Sequence, residues 1–148
     1  SRSWMRGVTY LLGYRLARIQ MACPFFKPVH RLDAGGWDPA PRLPLGDAWG
    51  GACTAGCTEQ PPESAQREIC NSGYARGRCA HFPADMETDA VRFSIHANGR
   101  LTYIFEKDHA PLAHGEIDAA TDQREPLASL ARAYSDSHRR ALAAAASR

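Results

Sequence analysis

The arrangement of hydrophobic and polar positions divides this chain into segments of different character. Residues 1–20 place apolar side chains at spacings of three and four with arginines between them, which predicts one amphipathic helix. These apolar residues are Trp4, Val8, Leu11, Leu12, Leu16 and Ile19. From Cys23 to Asp89, proline or glycine interrupts nearly every run. This second segment is therefore predicted to be irregular, with one short helix from Pro62 to Asn71.

Two further elements follow the irregular segment. Residues 90–106 are predicted to form a hairpin, because apolar and polar positions alternate on both sides of Asn98-Gly99, a pair that favours a type I′ turn. Asp122 and Glu125 have the spacing of a capping box at the start of a helix from 124 to 146. One mainly apolar face of that helix, which we expect to pack on the hairpin, carries Leu127, Leu130, Ala131, Tyr134, His138, Ala141 and Leu142.

These elements predict an α+β fold. It would consist of a small irregular cysteine-rich lobe, a two-stranded antiparallel hairpin and flanking helices. A chain of 148 residues fits one domain. We expect residues 1–20 to be a basic amphipathic N-terminal helix or an extension, and residues 21–148 to be a single cysteine-bound metal domain.

Charge and hydropathy narrow the classes of partner. A net charge of +2 is too small to indicate nucleic-acid binding by itself. Basic residues are concentrated before Asp33, the first acidic residue, and such a segment is either a solvated tail or a docking arm for an acidic partner. No apolar stretch reaches the roughly 20 residues that a membrane-spanning helix needs. The pattern of a cleaved secretion signal is also missing, so we expect a cytoplasmic protein.

The cysteines carry the main chemical signal. All five lie in the segment rich in glycine and proline, at positions Cys23, Cys53, Cys57, Cys70 and Cys79. A long irregular segment loses conformational entropy when it becomes ordered, and it has little helix or sheet packing to offset that loss. Thiolates that bind one metal centre would supply the missing stabilisation.

Several chemistries compete for these thiols. Disulfides require an oxidising compartment, and the odd number of cysteines would leave one of them unpaired. Buried unmodified thiols are a further alternative. Structural zinc favours closely spaced ligand pairs, and Cys53 and Cys57 form the single such pair of cysteines. A [4Fe-4S] cluster accepts one thiolate from each of several separate loops, and Cys23-Pro24 repeats a step found in ferredoxins. Six aromatic residues that could exclude water from a cluster are Phe25, Phe26, Trp37, Trp49, Tyr74 and Phe82.

Three segments carry a resemblance to a known group of proteins. They are Cys23-Pro24-Phe25-Phe26, the run from Arg42-Leu43-Pro44-Leu45-Gly46 to Cys53, and the run from Cys70-Asn71 through Gly73-Tyr74-Ala75 to Cys79. Over about residues 23 to 106, the chain resembles a family of small uncharacterised bacterial four-cysteine proteins of no assigned activity. The resemblance implies that Cys23, Cys53, Cys70 and Cys79 are the metal ligands. Cys57 falls outside this set but remains an alternative ligand to the nearby Cys53. His81 is a second alternative ligand, because it follows Cys79 closely.

The functional hypothesis follows from these ligands. We expect a small iron–sulfur protein, with a [4Fe-4S] cluster, that acts in electron transfer, in redox sensing or as a structural subunit of a larger complex. Such a cluster implies a protein or redox partner. The alternative is a zinc-stabilised binding module whose basic N-terminal helix contacts an acidic protein or nucleic acid. No catalytic residues are assigned, because no nucleophile or acid–base set is recognisable in the sequence.

Overall fold

The computed structural model of the protein describes residues 22–32, 47–56 and 60–147. Within these ranges the fold is α+β, with two antiparallel sheets and two helical elements. Strands β1 (Phe26–Arg31) and β2 (Trp49–Cys53) form one sheet. Strands β3 (Ala90–Ile95), β4 (Leu101–Lys107) and β5 (Ala110–Ile117) form the other. Helix α1 (Glu63–Ala65) continues as a π-helical turn (Gln66–Cys70), and α2 is Leu127–Ala146. The predicted N-terminal helix lies outside the described residues.

The predicted hairpin is confirmed, but its turn differs from the prediction. Strands β3 and β4 pair from Ala90 opposite Glu106 to Ile95 opposite Leu101. Gly99 has a φ of 87°, whereas Asn98 is not among the described residues with positive φ. The Gly99 N–H donates to the carbonyl of His96 at 2.9 Å. The type I′ prediction is therefore wrong, and the loop resembles a tight turn followed by a left-handed glycine.

A third strand, β5, extends the hairpin into a three-stranded sheet, so the expected two-stranded arrangement is wrong. Asp108 and His109 connect β4 to β5, and both have positive φ, of 52° and 66°. This is the pattern of a type I′ turn, one hairpin later than the sequence predicted. The Asp108 N–H donates to a carboxylate oxygen of Asp89 at 3.0 Å, and the His109 N–H donates to the hydroxyl of Tyr74 at 2.9 Å.

The sheet of β1 and β2 lies inside the segment that was predicted to be irregular. The alternation of β1 ends after Pro28, and the strand register shifts between Pro28 and His30. The middle of β2 consists of two glycines, Gly50 and Gly51. A Cβ atom at Gly51 would lie 2.0 Å from the carbonyl oxygen of Lys27, so glycine allows the two strands to approach closely.

Helix α2 covers both sheets. It contacts β1 and β3, and the indole N–H of Trp49 donates to the hydroxyl of Ser137 at 3.3 Å. Two parts of the prediction for this helix are wrong. Asp122 accepts a hydrogen bond from the backbone N–H of Arg124 instead, and within the described residues no side chain caps the helix start at Leu127. Leu142 is 58% exposed and does not join the buried face.

The core joins the two sheets and α2. Its buried apolar members include Ala22, Phe26, Trp49, Val91, Phe93, Leu101, Ile117, Leu130 and Ala131. Ala22 forms an isolated antiparallel bridge with Val91, which places the residues that follow it beside β3. In the described parts of the chain, no helix combines the length and the apolar character required to cross a bilayer.

Truncating Leu130 to alanine should destabilise the protein strongly. Leu130 is completely buried, and removal of a buried leucine side chain typically costs about 2–5 kcal/mol in unfolding free energy. The matched control is Leu142→Ala on the same helix, where an exposed side chain should change that free energy by less than about 0.5 kcal/mol. Urea denaturation of both variants tests this. Equal unfolding free energies for the two variants would contradict the placement of α2.

Candidate metal centre

The four cysteines predicted as ligands line a single cavity. Its volume is about 310 Å³, and Cys23, Cys53, Cys70 and Cys79 all contribute to its wall. Among the described residues, no group of three or more His, Cys, Asp or Glu side chains could hold a single metal ion. The four cysteines therefore surround a space instead of meeting at one point.

Each cysteine reaches the cavity from a different segment of the chain. Cys23 follows the bridge to β3 and precedes a tight turn, in which the Phe26 N–H donates to the Cys23 carbonyl at 3.1 Å. Cys53 is the last residue of β2, and Cys70 is the last residue of the π-helical turn. Cys79 lies in the loop before β3, where its N–H donates to the Ala75 carbonyl at 2.8 Å.

Backbone hydrogen bonds connect these segments near the cavity. The N–H of Cys23 donates to the carbonyl of Cys70 at 3.1 Å. Cys53 pairs with Phe26 across the β1–β2 sheet, and Phe26 lies three residues after Cys23 in the sequence. The Thr54 N–H donates to the Phe25 carbonyl at 2.8 Å. Cys23 is therefore fixed on one side to the segment of Cys70 and on the other to the segment of Cys53.

Backbone N–H groups also point at the sulfur atoms. The Ala55 N–H donates to the Sγ atom of Cys53 at 3.4 Å. The N–H groups of Phe25 and Phe26 interact with the Cys23 sulfur and favour its thiolate form. Such hydrogen bonds stabilise a coordinating thiolate and influence the reduction potential of an iron–sulfur cluster.

Burial dominates the acid–base behaviour of Cys23. It raises the pKa of the Cys23 thiol to about 12, and the nearby thiols of Cys53 and Cys79 add to this increase. The N–H groups of Phe25 and Phe26 oppose the increase only in part. Several thiolates held together in an apolar cavity repel one another, and a bound cation would offset that repulsion.

The cavity wall is largely apolar. Phe25 and Phe82 meet edge to face with their ring centroids 5.5 Å apart, and the guanidinium of Arg76 lies 4.9 Å from the Phe82 ring centroid. The other apolar lining residues are Phe26, Ala55, Pro61, Pro62, Ala65, Ile69, Ala75 and Ala80. Two of the aromatic residues proposed from the sequence lie elsewhere. Trp49 packs toward α2, and Tyr74 stacks on His109.

The two sides of the cavity differ in their exposure. Cys23 and Cys70 are 7% and 8% exposed, whereas Cys53 and Cys79 are only half-buried. His81 and the neighbouring Arg78 also line the cavity, and both residues are exposed. The cavity therefore approaches solvent on the side of Cys53 and Cys79. Cys57 and Trp37 lie outside the described residues.

Comparisons with protein-family models, with curated proteins and with solved structures gave no match for this chain. The resemblance to small bacterial four-cysteine proteins therefore stays a prediction. Sequence reasoning missed two residues that shape the cavity region, Gln66 and Asn71. Their amide side chains fix β2 to the π-helical turn, and nothing in the spacing of the sequence indicates such a contact.

Proposed function

We propose that this protein binds a [4Fe-4S] cluster through Cys23, Cys53, Cys70 and Cys79. The observation that carries the proposal is the single cavity, of about 310 Å³, that these four residues line together. A four-iron cluster takes one thiolate at each iron, so its cysteine ligands surround it from separate segments. The aromatic wall and the N–H groups near Cys23 and Cys53 suit such a cluster, because the rings limit the access of water and the N–H groups hydrogen-bond to sulfur.

The proposed role is electron transfer, redox sensing or structural support within a larger complex. Electron exchange requires a cluster close to the protein surface, and solvent exposure helps to set its reduction potential. The half-buried Cys53 and Cys79 bring one side of the cavity near solvent. A redox partner would contact this side, where Arg78 and His81 are exposed.

The second candidate is a zinc-stabilised binding module for an acidic protein or nucleic acid. One observation favours it, since His81 lines the same cavity as the four cysteines. Zinc binding would require at least three of these side chains to move closer together, because no three of the described ones lie close enough to hold a single ion. Mixed cysteine and histidine ligands are typical of structural zinc sites. Zinc would stabilise the fold without any redox chemistry.

Anaerobic purification followed by metal and sulfide analysis tests the proposal. We expect about four iron atoms and four sulfide ions per chain, together with broad visible charge-transfer absorption. Zinc at about one ion per chain, with no visible absorption, would support the binding module instead. A folded chain that takes up neither iron nor zinc after reconstitution would overturn both proposals.

A further inference from the structure

Within the described ranges, one edge of β2 is paired by side-chain amides instead of by a neighbouring strand. The Trp49 N–H donates to Oδ1 of Asn71 at 3.0 Å, and Nδ2 of Asn71 donates to the Trp49 carbonyl at 2.8 Å. Two residues further along β2, the Gly51 N–H donates to Oε1 of Gln66 at 2.9 Å. Alternate residues of a strand present their backbone groups to the same edge, so the two amides occupy the place of a third strand.

These amides are buried and make further hydrogen bonds. Asn71 is completely buried, and its Nδ2 also donates to the Gln66 carbonyl at 2.7 Å. The Nε2 of Gln66 donates to the Pro61 carbonyl at 2.7 Å. A buried amide that loses its partners leaves polar groups without hydrogen bonds, which is costly in an apolar interior. The amides therefore hold β2 in one fixed position against the π-helical turn.

Two cysteines of the cavity lie directly beside these contacts. Asn71 immediately follows Cys70, and Cys53 comes two residues after Gly51 on the strand that the amides hold. The position of Cys53 relative to Cys70 consequently depends on hydrogen bonds made by Asn71 and Gln66. Neither amide lines the cavity, so both act through the backbone.

We propose that Asn71, supported by Gln66, is a positioning residue that sets Cys53 against Cys70 so that both bind one metal centre. The part of this inference that concerns metal rests on the proposed function. The part that concerns the backbone does not, because it predicts how β2 is held in the protein before any metal is added.

The variant Asn71→Asp tests the proposal, since it keeps the size and the acceptor oxygen but loses both N–H donations. The carboxylate would also lie against the carbonyl oxygens of Trp49 and Gln66. We expect metal affinity about 10–100-fold weaker than in the wild type, and an altered electron paramagnetic resonance signal from the cluster that remains. Because those carbonyl oxygens repel the carboxylate, we expect it to move away from β2, and amide hydrogen exchange at Trp49 in the unloaded protein should become faster.

The matched control is Ser137→Ala, which removes a contact to the same tryptophan from the side of α2. Ser137 is buried, accepts from the Trp49 indole and donates to Asp47 at 2.9 Å. This change should lower the melting temperature and leave metal affinity and the spectrum unchanged. Wild-type affinity and spectrum in Asn71→Asp, or equal losses of affinity in both variants, would overturn the proposal.

A milder variant, Gln66→Met, applies if Asn71→Asp does not fold. It removes the acceptor for the Gly51 N–H, so exchange at Gly51 should accelerate and metal affinity should fall. Unchanged exchange at Gly51 and unchanged affinity would overturn the proposal. If the wild-type chain binds neither iron nor zinc, the proposed function fails, while exchange at Trp49 and Gly51 still decides whether the amides hold β2.

Discussion

Serine in place of Cys70 is expected to remove most of the bound iron from the reconstituted protein. The same result is expected at Cys23, Cys53 and Cys79, because each substitution replaces a soft thiolate by a hard and mostly protonated hydroxyl. The cluster should be lost or left as a labile form with three irons. Iron and sulfide per folded chain, measured after anaerobic reconstitution, give the result directly.

Loss of folding must be separated from loss of a ligand in this series. Cys23 and Cys70 are buried, and placing a more polar hydroxyl in an apolar site is itself destabilising. Alanine variants at the same two positions avoid the buried hydroxyl and should lose iron to the same extent. Circular dichroism of each variant would establish that the remaining chain is folded before its metal content is compared.

Cys57→Ser is the control within the same segment, and it should retain the full iron content. Cys57 lies close to Cys53 in sequence, so the two could exchange roles when one is removed. The double variant at Cys53 and Cys57 addresses this, since iron kept in both single variants but lost in the double would mean interchangeable ligands. Full retention of iron in the Cys23, Cys70 and Cys79 variants would contradict a cysteine-bound cluster.

The sequence predicted those elements whose local pattern agrees with their tertiary environment. Strands β3 and β4 alternate because one side of their sheet packs on the core, and the confirmed hairpin at 90–106 reflects that. The helix predicted over Pro62–Asn71 corresponds to α1 and the π-helical turn. Helix α2 extends to Ala146, as expected, although it begins at Leu127 because Asp122 bonds to Arg124 and does not cap it.

The missed elements depend on contacts that are distant in sequence. Strand β1 contains a proline and β2 contains two glycines, residues that normally weaken strand assignments. Their pairing needs the close backbone approach at Gly51. Strand β5 is almost entirely exposed, so it lacks an alternating pattern, and the ring of Tyr103 on β4 covers its Gly115. No local signal distinguishes these segments from loops.

The sequence indicated cysteines as the residues of the candidate site, but not the backbone contacts that bring them together. Composition indicated the five cysteines as a group, and the resemblance implied Cys23, Cys53, Cys70 and Cys79 as the set of ligands. These four residues line one cavity in the structure. What brings Cys53 to the cavity is the register of β1 against β2, which neither cysteine spacing nor hydropathy specifies. The ligand role of the four residues stays a prediction until metal content is measured.

Alanine at Gly51 should therefore disrupt the cavity even though Gly51 does not line it. The added Cβ would lie 2.0 Å from the carbonyl oxygen of Lys27 and 2.8 Å from the Cα of Pro28. Both are backbone atoms, so a change of side-chain rotamer cannot relieve the clash. The two strands would have to move apart. Overpacking of this kind typically costs about 1–3 kcal/mol or more. We expect a lower unfolding free energy in urea and a large loss of bound iron, because Cys53 would move away from Cys23.

The neighbouring change Gly50→Ala provides the control on the same strand. Its Cβ would meet the ring of His30 at 2.8 Å, which is the far end of an exposed side chain that can rotate away. The next contact, with a Leu32 methyl group at 3.0 Å, also involves a side chain. Gly50→Ala should therefore retain most of its iron and lose little stability. Equal iron contents in the two alanine variants would mean that the close approach of β1 and β2 does not set the position of Cys53.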